Sequence, residues 1–264
     1  MTLRVAIEGI SFWSSRLPGW DLASAVICGD QPPPEAANPR PSPTLLAPTE
    51  RRRAPDTVAI ALEAAARACE AASRQPSELP SVFASTHGDL AISDYMCQTL
   101  VSTPTLISPV KFHNSVHNAA AGYWSIGTGS LAPYTAISAH EYTFAVGLIE
   151  AATQVVCEQK PVLYVAFDIE AKGALSSMAP SRGLFGVGLV LGPVTSAQAQ
   201  RSLILTTEPV EACSLTPARS AAAPLVADNA LAPCLPFFEV LAQSHPRTVC
   251  LAISQRLALN VQVN

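Results

Sequence analysis

Residues 133–152 read PYTAISAHEYTFAVGLIEAA and join a strand-like run to a helical run. Alternation of side chains predicts a strand over 134–138, and apolar spacing predicts a helix over 142–158. In many α/β enzymes a nucleophile lies at such a strand-to-helix turn, but this turn reads SAHE and contains no cysteine. The strand-like run PVLYVAFD at 161–168 follows the helix. Strand, helix and strand in this order predict an α/β fold, with a sheet layered between helices.

The rest of the chain supplies further elements around this unit. Additional strands are predicted at 3–13, 81–87, 183–193, 248–254 and 257–263, and additional helices at 55–75, 89–103 and 237–244. Residues 108–130 are predicted as a loop that runs into a helix rich in small residues. Residues 31–55 hold eight of the 23 prolines, which predicts an extended surface loop, and 214–236 form a second Pro- and Ala-rich loop. We expect a single domain over residues 1–264.

The composition disfavours some partners and favours others. The 264 residues are 49% hydrophobic and only 14% charged, which predicts an apolar surface or one covered by a partner. A net charge of -4 gives no electrostatic footprint for nucleic acid. The first residues lack the apolar core of a signal peptide because Glu8 and several serines interrupt it, so a cytoplasmic protein is expected. Residues 112–140 lack charged side chains, but their His, Asn, Gly and Pro content argues against a membrane span.

The cysteines favour thiols over a disulfide framework. Seven are present, an odd number, and no two of them form a CxxC pair. This pattern predicts reduced and mostly buried thiols, and it argues against a zinc site. The seven are Cys28, Cys69, Cys97, Cys157, Cys213, Cys234 and Cys250.

Two patterns superficially resemble ligand sites. His113 and His117 are four apart, as in HExxH, but Asn114 stands where the acid is required and no third ligand is marked. We therefore expect structural or interface histidines, and no bound metal. The glycines within 183–192 have a spacing unlike that of a dinucleotide loop and lie inside an apolar run. Close packing of the sheet is the better interpretation, and no cofactor is expected.

Two polar segments have alternative interpretations. Ser138 and His140 flank the strand-to-helix turn, but no GxSxG elbow is present, so a hydrolase is the less favoured interpretation. The run Arg51, Arg52 and Arg53 ends the proline-rich loop. A solvated charge cluster is slightly favoured there over a docking patch for an acidic partner or a phosphate group.

Several segments in order resemble a known family. The runs SPVKFHNSVHNAAAGYWSIGTG, YTAISAHEYTFAVGLIEAA, PVLYVAFD and GLFGVGLVLGP resemble the N-terminal half of a β-ketoacyl synthase, which has the thiolase fold. The arginine run followed by SVHNAAAGYWSI resembles, more narrowly, the short ketosynthase-like proteins of aryl polyene and xanthomonadin-type pigment pathways. The resemblance covers residues 3–195 and leaves 196–264 as a short, non-standard C-terminal part. It implies a truncated thiolase-like fold with a mixed sheet.

The resemblance also implies that the catalytic residues are missing. In active ketosynthases a cysteine begins the helix after this strand, where the helix dipole and amides stabilise its thiolate. With Gly147 as the anchor, Ala139 takes that position; a shift of register would give Ile137 or Ser138. The family also uses two histidines in its second half, but after residue 196 this chain has only His245 and no HGTGT-like motif.

The resemblance therefore points to a chain-length-factor-like subunit, a ketosynthase relative without catalytic activity that pairs with an active ketosynthase and shapes its acyl tunnel. By resemblance, residues 108–144 are the contact surface. The residues expected at the interface or the tunnel end are Phe112, His113, His117, Asn118, Tyr134, Ala139, Glu141 and Phe144. Two alternatives remain open: an acyltransferase or thioesterase that uses Ser138 or His140, and a module that binds acyl carrier protein through Arg51, Arg52 and Arg53. For the preferred subunit we expect aggregation or low solubility without its partner.

Overall fold

The computed structural model describes residues 1–264 and contains nine strands and nine α-helices. The strands are β1 (Thr2–Ser14), β2 (Leu17–Pro18), β3 (Ser81–Ala84), β4 (Tyr134–Ile137), β5 (Val162–Asp168), β6 (Phe185–Gly192), β7 (Arg201–Pro209), β8 (Arg247–Ala252) and β9 (Leu257–Val263). The helices are α1 (Trp20–Cys28), α2 (Pro48–Arg53), α3 (Asp56–Ala71), α4 (Leu90–Ser102), α5 (Pro109–Asn114), α6 (Ala119–Thr128), α7 (Thr143–Glu158), α8 (Ala223–Val226) and α9 (Leu235–Leu241).

All nine strands belong to one mixed sheet. Its order is β4-β3-β5-β6-β1-β7-β9-β8, and β2 pairs with the end of β1. β3 is parallel to both β4 and β5, whereas the remaining pairs are antiparallel. The carboxyl ends of β3, β4 and β5 therefore meet at one end of the sheet, and β4 is an outermost strand. The predicted α/β fold with helices around a sheet is confirmed.

Helix α3 packs directly on the glycines of β6. A Cβ atom on Gly186 would lie 2.7 Å from Ile60 Cγ1, and one on Gly188 would lie 2.7 Å from Ala64 O. Since a side chain at either position would displace α3, these glycines serve close packing, as predicted. Ser11 Oγ also donates to Ala64 O at 2.6 Å, which fixes α3 on the sheet.

The C-terminal part of the chain covers α7. Phe144, at the start of α7, lies with its ring centre 5.5 Å from that of Phe237 and 5.9 Å from that of Phe238, both on α9. Leu251 of β8 lies beside the same helix end. The start of α7 is thus covered by α9 and by the end of β8, while the helix packs on β1, β3 and β5 and belongs to the larger of the two main cores.

The structure also contains elements that the sequence interpretation missed. Helix α1 and strand β7 were not predicted, α2 lies inside the predicted loop 31–55, and α5 lies inside the loop predicted ahead of α6. The four are short, or are flanked by prolines or polar residues, so their periodic signal is weak. Prolines at the first positions of α2 and α5 begin those helices instead of preventing them.

The prediction of fully reduced thiols is wrong at one pair, because Cys213 and Cys250 form a disulfide. The two cysteines are 37 residues apart. They come together because the segment after β7 hydrogen-bonds to β8, and the spacing of cysteines in the sequence does not reveal this contact. Of the other five, Cys69 and Cys234 are buried, but Cys28, Cys97 and Cys157 are exposed. Among the helices, none has both the length and the apolar character needed to cross a bilayer.

Candidate functional site: the carboxyl end of the parallel strands

The candidate site is the end of the sheet where the three parallel strands finish, which we call the carboxyl edge. Residues 85–88 follow β3, residues 138–140 follow β4, and Asp168 ends β5. The register pairs Ala84 with both Ile137 and Ala166, so these segments come together although they are far apart in sequence. Ligand and catalytic sites of open α/β sheets lie at this end of the strands.

The turn from β4 into α7 is sharp and begins at Ala139. His140 has a φ of 53°, in the left-handed region, and a short 3-10 turn leads into the helix. The Ala139 amide donates to Thr143 Oγ1 at 3.0 Å, and that hydroxyl donates to His140 O at 2.6 Å. Ala139 supplies no nucleophile, and its amide, already bonded, is not free to stabilise an oxyanion.

Ser138 and His140 do not form a nucleophile and base. The Ser138 hydroxyl donates to Thr86 O at 3.0 Å, and no hydrogen bond joins it to a histidine. Both residues are exposed. A serine nucleophile needs an adjacent base within hydrogen-bond reach, and the geometry here provides none.

A buried carboxylate, Asp168, organises the turn after β3. It is 1% exposed and has no basic side chain within ion-pair distance. Its Oδ1 accepts from Ser85 Oγ and from the Thr86 amide, each at 2.9 Å, and from the His87 amide at 3.4 Å. Its Oδ2 accepts from the Thr86 amide at 3.1 Å. Burial raises the pKa of Asp168, although hydrogen bonds from Thr86 and Ser85 and the nearby His87 oppose the shift.

Two histidines belong to this region: His87 is part of the turn after β3, and His117 contacts it. Burial lowers the pKa of His87, and His140 lowers it further, while Asp168 acts in the opposite direction. His117 Nε2 lies 2.8 Å from Ser85 O, so this ring nitrogen carries the proton and donates it. Sequence reasoning singled out His117 but missed His87 and Asp168. The signal for Asp168 was a single acid at the end of an otherwise apolar strand.

The HxxxH pattern of His113 and His117 does not form a metal-binding pair. α5 ends at Asn114, so His113 and His117 do not share a helix face. The His113 ring packs on Tyr123, with ring centres 5.6 Å apart. No group of three or more His, Cys, Asp or Glu side chains is placed to hold a metal ion.

Most of the other predicted interface residues lie at the surface beside β4. Phe112 and Glu141 are exposed, and Asn118 Nδ2 donates to the hydroxyl of the exposed Tyr134 at 3.2 Å. Phe144 differs, because it is 3% exposed and packs in the core. The structure therefore removes Phe144 from the surface that another chain could touch.

The three arginines of the run differ in burial and in hydrogen bonding. Arg51 is half-buried, and its Nη2 donates to Leu46 O at 2.9 Å and to Thr44 O at 3.3 Å. Its side chain thus holds the proline-rich loop. Arg52 and Arg53 are exposed on α2 and have no ion-pair partner. Only these two are free to meet another molecule.

Exposed apolar side chains are concentrated in the part of the chain that leads into β4. Nine of the fifteen large exposed apolar residues fall within residues 100–134. They are Leu100, Val101, Leu106, Val110, Phe112, Val116, Ile126, Leu131 and Tyr134, and we call this set of exposed residues the β4 face, after the strand that the segment leads into. The outer edge of β4 pairs with no strand. An open strand edge with apolar neighbours is the usual character of a contact surface.

The sequence matches the family described as "Beta-ketoacyl synthase, N-terminal domain" over residues 28–243. The chain belongs to this β-ketoacyl synthase family. The match includes the turn after β3, the β4 face and the turn at Ala139. No curated protein matches the sequence.

Solved structures with the same fold include ketosynthase complexes. The ketosynthase ApeO in complex with its chain length factor ApeC from Xenorhabdus doucetiae matches with a TM-score of 0.71 and 20% identity, over 98% of this chain and 99% of that chain. The ishigamide ketosynthase/chain length factor matches with a TM-score of 0.74 and 16% identity, over 99% of each chain. A β-ketoacyl synthase from Burkholderia phymatum STM815 matches with a TM-score of 0.60 and 13% identity, over 90% of this chain and 70% of that one. At these identities the similarity shows the thiolase-like ketosynthase fold.

Proposed function

We propose that this chain is a non-catalytic, chain-length-factor-like subunit. It pairs in the cytoplasm with an active β-ketoacyl synthase of a type II polyketide or fatty-acid-like pathway, of the aryl polyene kind. The partner supplies the nucleophile and the histidines, and this chain covers the partner's face and closes the acyl tunnel. The observation that carries the proposal is the β4 face, a set of exposed apolar residues in the segment that leads into β4, together with a turn after β4 that contains no cysteine.

The chemistry of the turn supports a subunit without its own acyl transfer. Ala139 stands at the start of the nucleophile turn, its amide is bonded to Thr143, and Ser138 is bonded to Thr86 O. Acyl transfer from a thioester needs a nucleophile, a base and free donors for the oxyanion. The turn brings together neither a nucleophile nor a base, which supports a subunit whose partner supplies the activity.

The solved structures support the same proposal. Two that share the fold over nearly their whole length are complexes of a ketosynthase with a chain length factor. A third contains a type II acyl carrier protein with its ketosynthase, and matches with a TM-score of 0.72 and 10% identity over 100% of this chain.

Co-expression with the ketosynthase encoded nearest to its gene tests the proposal. We expect the two chains to purify together and to give the mass of one copy of each. The chain expressed alone should aggregate or show low solubility, because the β4 face is then exposed to water. A stable homodimer, or a soluble monomer that does not bind the ketosynthase, would refute the proposal.

Matched surface variants locate the interface. Phe112 is 61% exposed on the β4 face, and Val194 is 53% exposed after β6, at the opposite end of the parallel strands. Phe112→Glu should weaken pairing at least about tenfold, because a buried charge without a partner replaces an apolar contact. Val194→Glu makes the same kind of change elsewhere and should leave pairing unaltered. Equal effects of the two variants would place the interface somewhere else.

Arg52 and Arg53 are proposed to contact the acyl carrier protein. Their side chains are exposed, whereas Arg51 is committed to the proline-rich loop. Reversing both charges, in Arg52→Glu/Arg53→Glu, should weaken carrier binding and leave ketosynthase pairing intact. Arg256→Glu, at another exposed site, is the control for a general change in charge. Unchanged carrier affinity in the double variant would remove this role.

A further inference from the structure

The shape of the carboxyl edge depends on hydrogen bonds that lead to one buried side chain. Asp168 accepts bonds from Ser85 Oγ and from the amides of Thr86 and His87. Ser85 Oγ also accepts from the Gly88 amide at 2.9 Å. The four residues 85–88 are thus held in one conformation by a single carboxylate.

This turn in turn holds two segments beside β4. Ser85 O accepts a hydrogen bond from Nε2 of His117, which lies between α5 and α6. Thr86 O accepts one from Oγ of Ser138, the residue just before the turn from β4 into α7. A Cβ atom on Gly88 would lie 3.7 Å from His117 Cδ2, so the turn also packs against this ring. The carboxylate is therefore connected to both segments through no more than one intervening residue each.

A carboxylate is a costly choice at this position if stability alone matters. Asp168 is buried with no basic partner, and the residues before it in β5 are buried and mostly apolar. Burial of a charge without an ion pair is unfavourable, and here burial raises the pKa of the group. What the carboxylate supplies, and an apolar residue could not, is a set of acceptors for the amides and hydroxyl of residues 85–87.

We propose that Asp168 is a positioning residue for the segments before and after β4: its carboxylate fixes the turn 85–88, which presents His117 and Ser138 in the arrangement that the partner subunit contacts. The contact with a partner rests on the proposed function, whereas the positioning within this chain does not. The two parts are therefore tested by separate measurements.

The chain contains a matched control for this experiment. Glu8 is also a buried carboxylate; it accepts from Arg74 Nε at 2.7 Å and Nη2 at 2.9 Å and from Ser196 Oγ at 2.5 Å. It lies beside Gly192, at the end of β6 that pairs with the beginning of β5, whereas Asp168 is the last residue of β5. Loss of Glu8 disturbs the opposite end of the sheet.

Hydrogen exchange of the chain without its partner, at a concentration low enough to keep it in solution, tests the positioning. In Asp168→Ala, residues 85–88, 115–119 and 137–143 should exchange at least about tenfold faster, because the acceptors that hold the turn are gone. Asp168→Asn retains an oxygen for Ser85 Oγ and the Thr86 amide and should stay within about threefold of the wild type. Glu8→Ala should speed exchange near residues 192–200 and leave those three segments unchanged. If Asp168→Ala leaves 115–119 and 137–143 unaltered, or if Glu8→Ala accelerates them equally, the positioning role is refuted.

Pairing with the co-expressed ketosynthase tests the second part. The dissociation constant should rise at least about tenfold in Asp168→Ala and change less than about threefold in Asp168→Asn and Glu8→Ala. Should Asp168→Ala fail to fold, Ser85→Ala, which removes one donor to the carboxylate, takes its place with a smaller effect of the same pattern. Unaltered pairing in a variant whose exchange has increased would refute the link to the partner. If the wild type itself does not pair, the proposed function fails, and the exchange result still decides the positioning.

Discussion

Replacing Gly147 by alanine tests how closely α7 lies on the sheet. A Cβ atom at this position would be 2.8 Å from both Cε2 and the hydroxyl oxygen of Tyr164 and 3.1 Å from Ala84 Cβ. Tyr164 cannot move aside, because it is buried and its hydroxyl donates to Phe144 O at 2.6 Å. Overpacking of this kind costs about 1–3 kcal/mol, against a gain of about 1 kcal/mol in helix propensity.

Gly122→Ala is the matched control, because Gly122 lies inside α6 and a Cβ atom added there would have no neighbour within 4 Å. It receives the same gain in propensity without the clash. The free energies of unfolding of the two variants should therefore differ by about 1–3 kcal/mol, with Gly147→Ala the less stable. In urea, followed by tryptophan fluorescence, the midpoints should differ by about 0.3–1 M for a slope of about 3 kcal/mol per M. Equal midpoints would show that α7 does not approach Tyr164 as closely as described.

Three further predictions concern titration and cross-linking. Folding raises the pKa of Asp168 from 3.8, so the stability of the wild type relative to Asp168→Asn should fall as pH rises through that raised pKa and then level off. Denaturation curves at several pH values measure this difference in stability. A difference that stays constant with pH would contradict the prediction. Folding lowers the pKa of His87 from 6.5, so the stability of the wild type relative to His87→Gln should rise with pH up to about 6.5 and stay constant above it. A rise that continues beyond that pH would point to another titrating group. The Cys213–Cys250 disulfide spans 37 residues, so the double variant Cys213→Ser/Cys250→Ser should have a free energy of unfolding about 4 kcal/mol lower than the wild type in oxidising buffer. In a reducing buffer the two proteins should differ little. Equal losses of stability in both buffers would show an effect other than that of the cross-link.

The sequence predicted those parts of the fold whose signal is local. Residues 142–158 have a helical pattern, and the structure places α7 at Thr143–Glu158. The strand predicted at 161–168 appears as Val162–Asp168. β7 was missed although Leu203 and Leu205, two apart, are buried while their neighbours are half-buried, because that alternation is brief and its flanks are polar.

The site depended on long-range pairing that a single sequence does not display. Ser85 and Asp168 are 83 residues apart and meet because β3 and β5 are parallel neighbours. His117 and Ser85 are 32 apart and meet through a turn between two short helices. Sequence reasoning could place polar residues at the ends of predicted strands, but which strand ends adjoin depends on the order of the sheet, which periodicity does not reveal.

The location of exposed apolar surface bears on how the chain pairs. Aggregation or low solubility without a partner was expected for this chain. The sheet, with α9 and Leu251 of β8 at the start of the helix, buries eight residues of α7, from Thr143 to Val155. The apolar residues that remain exposed are concentrated on the β4 face, next to a turn that is fixed by Asp168. Since burial of apolar area drives association, one preformed apolar face and a covered remainder favour a single partner in one orientation, and the same face accounts for the aggregation expected when that partner is absent.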